Sequence, residues 1–63
     1  MSIDRVSLVI PGRDCERTIG DCLAAVTPLL DDRAARLEEI LFVDDGSTDN
    51  TLAIVRDFPA RVI

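Results

Sequence analysis

At 63 residues, 48% of them hydrophobic, with two Phe and no Trp or Tyr, the chain has the composition of a globular interior. A domain of this size buries only about 60% of its unfolded surface, so the core is thin. The formal net charge of −5, from seven arginines, no lysine and twelve acids, repels a phosphate backbone and excludes nucleic acid as a partner.

No stretch reaches the roughly 20 apolar residues of a membrane span, and no basic region followed by an apolar one opens the chain. The expectation is a soluble, cytoplasmic protein, with any membrane association carried by residues outside this sequence.

Val6-Ser7-Leu8-Val9-Ile10 is apolar and β-branched and predicts a strand over 6–10, ended by Pro11-Gly12. From Asp14 the period changes. Ile19, Cys22, Leu23, Val26 and Leu30 fall three and four apart, which predicts a helix near 15–27, with Asp14 as its N-cap and Pro28 as its end. Cys15 and Cys22, seven apart in that helix, would stand about 10.5 Å apart along its axis. A disulfide tolerates roughly 4.4–6.8 Å between Cα atoms, so two reduced thiols are expected. The chain has no His and no further Cys, which leaves zinc without a ligand set. Residues 31–36 are charged and read as a solvated connection to a second strand near 39–44.

Ile40-Leu41-Phe42-Val43 is the centre of the chain: four apolar strand formers, read as buried on both faces in the manner of parallel sheets. The run stops at Asp44 and Asp45. Gly46 then permits a tight turn, and Ser47 or Thr48 can cap a helix near 48–57, with Asp49 in its first turn. Leu52, Ile54, Val55 and Phe58 form its apolar side and Pro59 closes it. Arg61-Val62-Ile63 opens a third strand. The order β-α-β-α-β predicts an α/β fold with a parallel sheet covered by helices.

In such sheets ligands sit at the carboxyl ends of the strands, which places Asp44 and Asp45 at the expected site beside residues 11–14. The acidic pair can accept hydrogen bonds from a ligand, hold a divalent cation, or cap helix N-termini. Neither a Gly-x-Gly-x-x-Gly nor a P-loop pattern is present, so a diphosphate at this rim implies a metal bridge. Met1 reads as a gene start, and the chain stops on an apolar strand-like run. Residues 1–63 are therefore expected to be the N-terminal part of a larger domain, unstable or self-associating when isolated.

Residues 6–14 (VSLVIPGRD), Glu16-Arg17-Thr18-Ile19 and residues 43–51 (VDDGSTDNT) together closely resemble the start of family 2 glycosyltransferases of the GT-A fold. The resemblance covers nearly all of the chain. It implies a Rossmann-like sheet supplying the nucleotide half of a site for a nucleoside diphosphate sugar, whose sugar passes to an acceptor hydroxyl. Carried over by position, Pro11 and Arg13 border the base, Asp45 accepts from a uracil-type N–H, and Asp44 shapes the pocket. The divalent metal (Mn or Mg), its ligands and the catalytic base belong beyond Ile63, so the segment holds no catalytic residue and is inactive alone. Arg13, Asp14 and Cys15 stand where the family commonly has an aromatic residue, Asn and Glu.

Two other readings compete: a receiver-type domain whose acidic pair holds magnesium for a phospho-acceptor, and a non-catalytic α/β binding module. In receivers the acidic strand comes first, whereas here a strand and a helix precede it.

Overall fold

The computed structural model describes residues 5–63; Met1, read above as a gene start, lies outside them. Strand β1 (Val6–Gly12) leads to helix α1 (Ile19–Val26) and a 3₁₀ turn (Thr27–Asp31), then to β2 (Leu37–Asp44), helix α2 (Thr51–Val55) and β3 (Ala60–Val62). The three strands form one sheet in the order β1-β2-β3, both neighbour pairs parallel. This is the predicted β-α-β-α-β architecture.

β1 runs two residues past the expected end. Pro11 pairs with Val43 and Gly12 with Asp44; β1 is an edge strand, where the missing proline N–H leaves no ladder bond unmade. β2 starts at Leu37, and a register shift pairs Val6 with Leu37 but Ser7 with Glu39. One extra residue in β2 therefore lets Leu37 bury alongside Ile40 and Phe42, although strict alternation would point it the other way.

Strands laid in sequence order by crossovers of one hand put both helices on one face. Ile19 and Leu23 of α1, Val55 of α2 and Leu37, Ile40 and Phe42 of β2 form a single core cluster. Leu8, Ile10, Phe58 and Val62 pack around it. The other face is not covered by the described residues. Val9 is 52% and Ile63 64% exposed, and Leu41 and Val43 are half-buried. The expected burial of β2 on both faces thus holds for one face, because both crossovers lie on the same side.

Both helices begin later than their local sequence suggests. α1 opens at Ile19 rather than near 15, and Asp14 is not its N-cap. Asp14 sits at φ 48°, a left-handed conformation that interrupts any helix and that Asp tolerates better than most residues. α2 opens at Thr51 rather than near 48, and neither Ser47 nor Thr48 caps it. Pro28 does end α1, at the start of the 3₁₀ turn. Both cysteines are free thiols: Cys15 lies in the turn before α1, half-buried, and Cys22 is exposed on the helix.

Candidate nucleotide-binding rim

The carboxyl ends of β1 and β2 are tied by a last backbone bond, the Asp45 N–H donating to the Gly12 carbonyl at 3.0 Å. Beyond it the chains separate into two loops, 13–18 and 45–50. Side chains then continue the ladder's work. The Asp14 N–H donates to Ser47 Oγ (3.1 Å), the Cys15 N–H to Thr51 Oγ1 (2.9 Å) and the Glu16 N–H to Asp49 Oδ2 (3.3 Å). In return, the Thr48 N–H donates to Asp14 Oδ1 (2.7 Å) and the Asn50 N–H to Glu16 Oε2 (3.3 Å). Each loop offers acceptor side chains to the other's amides.

This clasp accounts for the late helix starts. Ser, Thr and Asp near a helix N-terminus can satisfy amides locally or across to another segment, and here most bonds run across. Asp49, expected in the first turn of α2, precedes the helix and accepts from the N–H (2.9 Å) and hydroxyl of Thr51 as well as from Glu16. Asp14, Glu16 and Thr51 were not expected to act together. The readable signal was an alternation with period two, acceptors at 14 and 16 facing acceptors at 47, 49 and 51, continuing beyond two strands already in register.

The structure separates the two acids of the pair. Asp44 turns back into its own loop, accepting from the Gly46 N–H (3.3 Å), the Ser47 N–H (3.2 Å) and the Ser47 hydroxyl. Asp45 is exposed, and its carboxylate makes no hydrogen bond or ion pair among the described residues. Gly46, at φ 82°, makes the turn between them possible. Pro11 and Gly12 bring β1 to the same rim, and Arg13 follows, 63% exposed, with its Nε 3.9 Å from Asp14 Oδ2. An exposed pair at that distance orients Arg13 only weakly. The four residues expected at the site therefore share one edge, with Asp45 the free acceptor.

Gly12 is needed for close approach. A Cβ there would lie 3.0 Å from Cε1 and Cζ of Phe42 and 3.1 Å from the Cys15 sulfur. The largest core side chain thus abuts the rim directly.

Among the described residues no three Asp, Glu, Cys or His groups gather into a metal site. With Asp44 already accepting from its own turn, the rim offers a cation one free carboxylate, which is not a ligand set.

Hydrogen bonds from Ser47 hold the Asp44 carboxyl below its ordinary pKa, and those from Thr51 do the same for Asp49. A lowered pKa in the folded state means stability that is complete above the unfolded value of about 3.9 and is lost as pH falls through the lowered values. Denaturant titrations between about pH 2 and 5 should show an acid limb that shrinks in Asp49→Asn. Stability that rises on acidification below about pH 4 would contradict the clasp.

A parallel β-α-β-α-β sheet with both crossovers on one face and a carboxylate at its carboxyl rim defines a Rossmann-like α/β protein, an arrangement consistent with the start of a GT-A fold. The description "Glycosyl transferase family 2" matches residues 7–63, and the chain belongs to that family. It is 33% identical over 58 residues to a glucosyl-3-phosphoglycerate synthase of Petrotoga mobilis and 39% identical over 58 residues to one of Mycolicibacterium paratuberculosis. Each match covers 92% of this chain but only 18% and 17% of the relatives' length. No solved structure matches significantly. Family membership sets aside the receiver reading. No helix among the described residues is long and apolar enough to cross a membrane.

Proposed function

We propose that this chain is the N-terminal, nucleotide-sugar-binding part of a larger cytoplasmic glycosyltransferase domain. The intact protein moves a sugar from a nucleoside diphosphate donor to an acceptor hydroxyl. The observation that carries this reading is the division of the acidic pair: Asp44 builds the turn, and Asp45 is left at the carboxyl rim as an unengaged charged acceptor. A base edge bearing an N–H calls for such an acceptor, and an ionised carboxylate is the strongest available. Pro11 and Arg13 border the base, and the planar guanidinium of Arg13 is able to stack on it.

Binding at this rim holds the donor; it does not ionise the acceptor. A divalent cation (Mn or Mg), when bound, neutralises the diphosphate; its ligands and the catalytic base lie outside these residues. The names of the two relatives make a glucosyl donor and 3-phosphoglycerate the first substrates to try.

Calorimetry of the intact protein with UDP, GDP and their glucose conjugates, with and without manganese, tests the reading. Asp45→Asn keeps the shape of the side chain but loses the charge. A charge-assisted bond contributes about 1.5–3 kcal/mol against about 1 for a neutral one, so affinity should fall about three- to thirtyfold. Parent-like affinity in Asp45→Asn for every nucleotide would make the residue a turn element only. Nucleotide binding without transfer to any acceptor would favour a binding module.

A further inference from the structure

The Asp45 carboxylate sits on a short turn that Asp44 closes from the strand side, accepting from the Gly46 and Ser47 N–H groups. The Asp45 N–H is anchored to Gly12, but the next residue is a glycine at φ 82° with nothing within 4 Å of where a Cβ would lie. Gly46 thus combines the widest backbone freedom with open space around it. Beyond the glycine the turn is held a second time, by the loop that follows β1. There, Ser47 Oγ accepts from the Asp14 N–H while its hydroxyl donates to Asp44, and the Thr48 N–H and hydroxyl both donate to Asp14 Oδ1 (2.7 and 3.3 Å). Asp14, held at positive φ, faces the second loop with both its amide and its carboxylate.

We propose that Asp14 and Ser47 are positioning residues: they touch no ligand, but by clamping the far side of Gly46 they aim the Asp45 carboxylate at the base edge and so set nucleotide affinity. The inference rests on the proposed role of Asp45. A bond to a charged acceptor loses strength steeply as its geometry relaxes, so releasing the clamp removes part of what Asp45 supplies.

The test uses the intact protein and whichever of UDP and GDP it binds, together with the same nucleotide methylated at the base N–H. Ser47→Ala deletes the bridging hydroxyl and should raise Kd about three- to tenfold, within the larger loss for Asp45→Asn. Ser47→Thr, which keeps the hydroxyl, should restore affinity. Asp14→Asn keeps Oδ1 and tolerates positive φ, so it should bind like the parent, whereas Asp14→Ala should resemble Ser47→Ala. If Asp14→Ala fails to fold, the Ser47 pair decides alone. The loss should vanish for the methylated nucleotide and in the Asp45→Asn background. Unchanged affinity in Ser47→Ala, an equal loss for both nucleotides, or a loss that adds in full to Asp45→Asn overturns the proposal. Failure of the Asp45 reading shows separately, as parent-like binding by Asp45→Asn alone.

Discussion

In the intact protein Phe42→Ala should cost about 3–5 kcal/mol, a large part of the marginal stability of a folded domain, and leave the sheet region without a cooperative transition. Phe42 is fully buried at the centre of β2, under both helices. Truncation opens a cavity that Ile19, Leu23 and Val55 cannot fill without moving their helices. Phe42→Leu conserves most of the volume and should cost less than about 1.5 kcal/mol. Because the ring edge also occupies the space over Gly12, Gly12→Ala should destabilise the parent and be better tolerated beside Leu at position 42. Denaturant midpoints of the four proteins give the cycle; strict additivity would mean that ring and glycine do not constrain one another.

The second large effect is expected at Thr51. Its side chain is fully buried, accepts from the Cys15 N–H at 2.9 Å and donates to Asp49. Thr51→Val preserves shape and branching but leaves the Cys15 amide with no acceptor in a partly buried site, at a cost of about 1–3 kcal/mol. Thr51→Ser keeps the hydroxyl and loses only a methyl, and so should be the milder change. Urea unfolding ranks them; Thr51→Ser less stable than Thr51→Val would assign the position to packing instead of hydrogen bonding.

The strands were legible because Val6–Ile10 and Ile40–Val43 are dense in β-branched and apolar residues and are bounded by breakers. The parallel arrangement followed from the length of chain between them. Helix starts were not legible. Asp14, Ser47, Thr48 and Asp49 belong to the residue types that cap helices locally, and a one-dimensional pattern cannot say that each instead bonds across to the other loop. The unequal fates of Asp44 and Asp45 were hidden for a similar reason: which carboxylate turns inward depends on the backbone path through Gly46, not on either residue's chemistry. Leu37 escaped because one extra residue in β2 breaks the alternation that sequence reading relies on.

Surface loops ordinarily absorb insertions and deletions, but here two of them are locked in length. Acceptors at 14 and 16 meet donors at 48 and 50, and those at 47, 49 and 51 meet donors at 14, 16 and 15, so adding or removing one residue on either side would misalign the bonds beyond it together. Among the described residues the opposite end of the sheet shows no such clasp at its turn: the exposed residues 32–34 are fastened mainly to their own neighbours. Variation in chain length should therefore accumulate at the amino-terminal end of β2, while the carboxyl rim keeps its spacing even where its side chains change.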